Sequence, residues 1–224
     1  MRLERLALGS LFSLTKKEVY KNIESIFVDR YKNAKTELKY NNLYELLICV
    51  ILSAQCTDKR VNIITPSLFK KYPDIQSLSN ASLDDVKGLI STCSFFNNKA
   101  KNIINLAKTV ISEFDGKIPL DRDKLKSLSG VGQKTANVVL LEYNNENLMA
   151  VDTHVFRVSH RLGLSKAKNV EETEKDLNKI FKQNRHILHQ GFVLFGRYIC
   201  KALNPQCFDC FVYDFCTSKD RLKK

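Results

Sequence analysis

Four of the seven cysteines fall within residues 200–216, and this crowding constrains the fold more than any other feature of the chain. They are Cys200, Cys207, Cys210 and Cys216. Thiols concentrated in one short loop indicate a metal or cluster site in a reducing compartment, not a disulfide framework. Four thiolates at this spacing suit a [4Fe–4S] cluster. Zinc is the alternative, although structural zinc sites commonly use two Cys-x-x-Cys knuckles and this chain has one.

The rest of the chain reads as helical. Alternating strand patterns are absent, and there are only eight Gly and four Pro residues to break helices. We predict helices over 16–31, 43–55, 58–71, 83–92, 97–114, 122–128, 133–144, 153–162, 170–182 and 187–202. Ser82 and Asn169 are each followed three residues later by an acidic residue, which predicts capping boxes. The sequence therefore predicts an all-α fold.

The charge of the chain narrows the class of partner. The 36 basic and 24 acidic residues give a formal net charge of +12, which favours nucleic acid over a membrane surface. The alternative is a soluble basic protein whose charge has no role in binding a partner. No apolar run reaches the roughly 18 residues that a bilayer span needs, so we expect no membrane partner. Residues 1–15 are predicted to be a partly ordered tail, with a targeting peptide as the alternative.

The segment LSGVGQKTANVVL, residues 128–140, joins two predicted helices by a short glycine turn. It is not a nucleotide P-loop, because Gln133 shifts Lys134 out of register and a helix precedes it. Gly130 and Gly132 permit positive φ angles and close approach by a large partner, and Val131 is predicted to point inward. The N-terminus of the second helix can bind a phosphate oxygen. This pattern predicts a helix-hairpin-helix, with an ordinary tight turn as the alternative.

Lys134 and Asp152 are the candidate catalytic pair. Lys134 stands in the first turn of the second helix, where the helix dipole disfavours a cation, and a neutral amine is nucleophilic. Desolvation in a cleft would act in the same direction. The helix advances about 15 Å to Asn144, and residues 145–152 can return up to about 25 Å, so Asp152 can come back beside Lys134. The alternatives are a solvated or phosphate-bound lysine and a helix N-cap at Asp152.

Together these features resemble the endonuclease III family of DNA glycosylases, from about residue 16 to residue 220. The matching segments are LLICVILSAQCTD (46–58), NNKAKNIINLAK (97–108), the hairpin, VDTHVFRVSHRLGL (151–164) and the four-cysteine loop. The resemblance implies two helical domains with a DNA cleft between them. One is a six-helix domain over 36–146, with the helix-hairpin-helix at about 122–144. The other is a [4Fe–4S] cluster domain made of 16–35 and 147–224.

The resemblance also implies a reaction. Lys134 would attack C1′ of a damaged nucleotide, expel the base and form a Schiff base, while Asp152 would stabilise positive charge on the sugar. β-Elimination would then cut the strand on the 3′ side. The implied partner is double-stranded DNA with oxidised or damaged pyrimidines or abasic sites. Gln55 would fill the gap left by the flipped nucleotide, and Phe95 or Phe96 would wedge into the opposite strand.

Other implied DNA contacts come from the hairpin and the cysteine loop. They are Gly130, Val131, Gly132, Thr135 and Lys201. We expect a monomer located in the bacterial cytoplasm or nucleoid. A non-catalytic iron–sulfur DNA-binding protein is the competing hypothesis, because docking alone needs neither Lys134 nor Asp152.

Overall fold

The protein is described here by a computed structural model that covers residues 14–222. These residues form eleven α-helices and no strand, so the predicted all-α fold is confirmed for this part of the chain. The helices are α1 (Lys16–Tyr31), α2 (Leu43–Ser53), α3 (Asp58–Lys71), α4 (Ile75–Ser79), α5 (Leu83–Ile90), α6 (Phe96–Glu113), α7 (Arg122–Ser127), α8 (Gln133–Asn144), α9 (Thr153–Arg161), α10 (Val170–Ile180) and α11 (Arg185–Tyr198). A 3-10 helix follows at Tyr213–Phe215. Most of the predicted N-terminal tail lies outside the described residues.

The ten predicted helices are all present, and most differences lie at their C-terminal ends. Helix α4 is not among the predicted ten, because five residues are too few to show a helical period; its N-cap Asp74 and Ser77 form a capping box. The capping box predicted at Ser82 is wrong, since that side chain makes no cap hydrogen bond. Asn169 does cap its helix and accepts the Glu172 N–H at 2.8 Å.

The chain divides into two compact units, which we name by their place in the sequence. The central unit is Lys35–Glu146 and contains α2 to α8; the described residues on either side, 14–34 and 147–222, form the terminal unit. Counting the short α4, the central unit has seven helices where the resemblance implied six. Its core surrounds α2, which is buried from Tyr44 to Leu52. The apolar run of residues 43–52 therefore supplies the central helix of this core.

The terminal unit is held together by α1, α9 and α11 around an aromatic cluster. Phe27 meets Phe192 edge-on at 4.7 Å and Phe195 at 5.3 Å between ring centroids. Phe211, from the segment between Cys210 and Cys216, packs on Phe27 and Phe195. Aromatic pairs of this kind add to the burial of apolar area, so the cysteine loop is anchored to the core from one side. Within residues 14–222, none of the helices has the length and hydrophobicity that a bilayer crossing demands.

Candidate nucleic-acid interface and cofactor pocket

The glycine turn joins α7 to α8 as the sequence predicts. Leu128 and Val131 are buried, and the Val131 N–H donates to the Leu128 carbonyl at 3.1 Å. The inward position predicted for Val131 is confirmed. Any contact of Val131 with a ligand must therefore come from its main chain, since its side chain belongs to the core.

The two glycines of the turn, Gly130 and Gly132, have different structural roles. Gly130 has φ +81°, and a Cβ there would lie 2.9 Å from the Asn102 Cβ on α6. Gly132 has φ −91° and is the N-cap of α8, so it does not use the positive φ that glycine permits. A Cβ at Gly132 would meet nothing within 4 Å. Gly130 thus lets the turn lie against α6, whereas Gly132 keeps the surface beside the helix N-terminus open.

The N-terminus of α8 has the properties of an anion site. The first N–H that bonds back within the helix is that of Ala136, to the Gly132 carbonyl at 3.0 Å. The N–H groups before it have no intrahelical partner and carry the positive end of the dipole. Lys134 is exposed in this first turn, and Thr135 is half-buried. The Lys134 amine is therefore accessible beside these N–H groups.

Two further loops of the central unit present side chains predicted to contact DNA. Gln55 follows α2 and Phe95 precedes α6, and both have left-handed backbone angles, φ 55° and φ 58°. Such angles are unfavourable for residues other than glycine and cluster at functional sites. Gln55 is exposed, and Phe95 is 61% exposed despite being apolar. Phe96, the first residue of α6, is half-buried, so Phe95 is the more available of the two aromatic rings.

Asp152 lies in the terminal unit, at the start of α9. Its Oδ1 accepts hydrogen bonds from the His154 and Val155 N–H groups, each at 2.8 Å. The predicted N-cap is confirmed, and these bonds fix the orientation of the carboxylate. Lys134 belongs to the central unit, so the pairing of Lys134 with Asp152 stays a prediction.

The four clustered cysteines line one pocket of the terminal unit, which encloses about 420 Å³ of empty space, part of it open to solvent. Arg161 contacts two of them: its guanidinium donates to the Cys200 Sγ at 3.4 Å, and its carbonyl accepts from the Cys216 thiol at 3.5 Å. Burial raises the pKa of Cys210 to about 11, and the other three thiols add to the rise. Among the described residues no three ligating side chains converge tightly enough for a single metal ion. Four sulfurs around one pocket, with an N–H donor directed at one of them, fit a cofactor held by thiolates.

Comparison with known proteins decides the family. Residues 48–183 match the protein-family model described as HhH-GPD superfamily base excision DNA repair protein. Endonuclease III of Bacillus subtilis (strain 168) is 41% identical over 198 residues, which are 88% of this chain and 90% of that protein. The chain belongs to the endonuclease III family. It is accordingly a DNA glycosylase of base excision repair.

Two solved structures of this family share the fold. A non-covalent endonuclease III–DNA complex matches with TM-score 0.86 and 40% identity, covering 91% of this chain and 96% of that chain. A trapped covalent endonuclease III–DNA intermediate, an estranged-adenine complex, gives the same score and identity and covers 97% of that chain. Membership in the endonuclease III family does not assign roles to single residues, so those of Lys134, Asp152, Gln55 and Phe95 stay predictions.

Two arginines of α9, neither of them predicted as a site residue, hold the first part of the cysteine loop. Arg157 donates to the carbonyls of Gly196 at 2.7 Å and Cys200 at 3.0 Å. Arg161 donates to the Lys201 carbonyl at 2.7 Å. Their i, i+4 spacing places both on one helix face, and that spacing is the signal that could have found them. They fix the main chain around Lys201, the one basic residue in this part of the loop.

Lys99 on α6 was also missed. It is buried, with 6% of its surface exposed, and its ammonium donates to the carbonyls of Leu52 and Ala54. The sequence carried a signal, because Lys99 stands in register with the apolar stripe Ile103, Leu106 and Val110. A lysine on such a stripe indicates a buried cation with a specific partner.

Proposed function

We propose that the protein is a bifunctional DNA glycosylase and AP lyase that removes oxidised or damaged pyrimidines from double-stranded DNA. The observation that carries the proposal is the position of Lys134. An exposed primary amine stands in the first turn of a helix whose N–H groups point outward, immediately after the open surface at Gly132. This arrangement puts a nucleophile beside a phosphate-binding element.

In the proposed reaction the Lys134 Nζ attacks C1′ of the damaged nucleotide, and the bond to the base breaks with its electrons leaving on the base. Asp152 stabilises the positive charge that develops on the sugar and accepts a proton from the attacking amine. The carboxylate is suited to this role because its two hydrogen bonds at the start of α9 orient it. Ring opening gives a Schiff base between Lys134 and C1′. Loss of a C2′ proton and cleavage of the C3′–O bond then cut the strand on the 3′ side.

The target nucleotide must leave the base stack before this reaction. Extrusion costs a few kcal/mol and is easiest at a damaged pair. The exposure of the Phe95 ring supports its proposed role as an intercalating wedge, and in this proposal the exposed Gln55 occupies the space left behind. The hairpin holds the backbone through main-chain N–H groups, which read no bases. The net charge of +12 supports this backbone contact.

We infer that Cys200, Cys207, Cys210 and Cys216 hold a [4Fe–4S] cluster, with zinc as the alternative. The group would supply structural links between the two ends of the loop, so that Arg161 and Lys201 keep their positions beside it. Brown colour and a broad visible absorption band in the purified protein would support iron and sulfur. A colourless, fully folded protein that contains zinc would contradict the cluster.

The proposed partner is double-stranded DNA with damaged pyrimidines or abasic sites, bound by a monomer. The relatives matched are bacterial proteins, which supports a bacterial cytoplasm or nucleoid as the place of action.

Borohydride trapping tests the proposal. The protein is mixed with a duplex that carries one oxidised pyrimidine, and the reductant converts a Schiff base into a stable protein–DNA adduct. We expect an adduct with the wild type and none with Lys134→Ala. Lys126→Ala is the matched control, because it removes an exposed lysine from the other hairpin helix. Absence of an adduct at oxidised pyrimidines and at abasic sites, with binding retained, would support the non-catalytic docking hypothesis instead.

A further inference from the structure

We propose that Lys99 is a positioning residue that ties the Gln55 loop to the Phe95 loop and thereby sets how efficiently the enzyme extrudes a base from a fully paired duplex. The inference rests on the proposed function, because it assigns Lys99 to the step that precedes the chemistry. Lys99 touches neither the sugar nor the base in this proposal.

The hydrogen bonds of Lys99 converge on both loops. Its Nζ donates to the Leu52 carbonyl at 2.7 Å and to the Ala54 carbonyl at 2.6 Å. It also lies 3.3 Å from the Cys93 Sγ. Ala54 directly precedes Gln55, and Cys93 stands two residues before Phe95. One ammonium group therefore reaches the base of each loop.

The thiol of Cys93 completes the connection. Its Sγ donates to the Leu52 carbonyl at 3.3 Å, the same oxygen that accepts from Lys99. The two loops thus share one acceptor at the end of α2, although Leu52 and Cys93 are far apart in sequence. Displacement of either loop would therefore disturb the hydrogen bonds that Lys99 and Cys93 donate to the Leu52 carbonyl.

The electrostatics of the site explain why a lysine occupies an apolar stripe. The carbonyls of Leu52 and Ala54 lie at the C-terminus of α2 and carry the negative end of its dipole, which favours a cation. A buried ammonium is costly unless its donors are satisfied. Here three partners surround it. A hydrophobic residue would fill the same volume, so the specific gain from lysine is the bridge between the loops.

Both loops need such support because of their backbone angles. Gln55 and Phe95 each adopt a left-handed conformation that a side chain disfavours. Strained residues of this kind persist only where the surroundings over-determine them. The Lys99 bridge supplies fixed points next to each one. Without it, we expect both loops to relax and the exposed Phe95 ring to lose its position for insertion.

The test compares two duplexes that differ only in how the lesion is paired. One carries an oxidised pyrimidine in a fully paired duplex, and the other carries the same lesion in a short unpaired bubble, where extrusion costs little. Single-turnover base release is measured for wild type and Lys99→Met. We expect the paired-to-bubble rate ratio to fall about tenfold or more, since the wedge matters mainly for the paired duplex. A purely structural role would lower both rates through the folded fraction and leave the ratio unchanged.

Lys101→Met is the matched control, because Lys101 is exposed on the same helix; its ratio should equal that of the wild type. If Lys99→Met does not fold, the same rate ratio is measured for Lys99→Gln. Glutamine keeps N–H donors but lacks the positive charge of lysine and is too short to reach both loops. A wild-type ratio in the folded variant would overturn the role of Lys99 alone. No base release by the wild type from either duplex would overturn the proposed function together with this inference.

Discussion

The predicted DNA-contacting loops of the central unit and the cysteine pocket of the terminal unit are completed in different ways. The Gln55 and Phe95 loops are held by hydrogen bonds within the chain, from Lys99 to Leu52 and Ala54, and the hairpin turn lies so close to Asn102 that a Cβ at Gly130 would not fit. The pocket is outlined by four thiols, and burial raises the pKa of Cys210 to about 11 and also raises the pKa of Cys216. The loops predicted to contact DNA are therefore fixed by the chain itself, whereas the proposed cluster would be a group that the cysteine loop acquires from outside the chain.

The largest effect should come from removing one cofactor ligand. We expect Cys207→Ser to lose the visible absorption and to destabilise the terminal unit by more than about 4 kcal/mol, the range typical of a lost metal centre. Hydrogen exchange should show lost protection in α11 and retained protection in α6. Cys56→Ser, at a half-buried cysteine of the central unit, is the control. Unchanged absorption and stability in Cys207→Ser would remove the contrast between the two regions.

The second prediction concerns the exposed aromatic ring. Phe95→Ala should lower base release from a paired duplex about 10- to 100-fold, the scale of one lost stacking contact. Its unfolding free energy should stay within about 0.5 kcal/mol of the wild type, because the side chain is exposed. Phe96→Ala should show the reverse balance, since Phe96 is half-buried. Equal activity losses in both variants would show that exposure does not identify the wedge.

The third prediction separates the two glycines of the hairpin. Gly130→Ala should destabilise the protein by about 1–3 kcal/mol, because a side chain at φ +81° is strained and meets Asn102. Gly132→Ala should leave denaturant unfolding nearly unchanged but weaken binding to an abasic-site duplex, since the new methyl group occupies open space beside α8. Tight binding by Gly132→Ala would show that no phosphate approaches there.

The smallest effect should come from Glu142, whose burial disfavours the charged carboxylate and so lowers the stability of the folded protein at neutral pH. Burial raises the pKa of Glu142, on α8, from 4.5 to about 7, while the Thr36 N–H and Lys35 act in the opposite direction. Because the folded-state pKa lies above the unfolded value, the stability of the protonated form is present below about 4.5 and is lost as pH rises through about 7. Glu142→Gln stays neutral and should be more stable than wild type by about 1–2 kcal/mol at pH about 8.

Urea unfolding at several pH values checks the direction of this pH dependence. The advantage of Glu142→Gln should shrink as pH falls and become constant below about pH 4.5, where the wild-type carboxyl is also neutral. An advantage that is independent of pH would mean that Glu142 is not titrating in this range.

Local features of the sequence predicted the helices, the hairpin, the inward Val131 and the cap at Asp152. Each depends on residues a few positions apart: the helical period, a glycine turn, or an N-cap side chain facing the next N–H groups. The helix α4 was not predicted because its five residues are too few to reveal the helical period. The four cysteines were also grouped by sequence alone, because they lie within one loop.

Other features were decided only when distant segments packed together. The sequence could not show that Lys99 meets Leu52, 47 positions away, or that Asn102 fills the space beside Gly130. It did not predict the left-handed angles of Gln55 and Phe95, the negative φ of Gly132 or the burial of Glu142. The physical reason is that exposure, hydrogen-bond partners and backbone strain depend on what lies against a residue in space. The sequence by itself determined which helices form and which chemical groups are available, and the tertiary structure decided which of those groups are buried, bridged or left exposed.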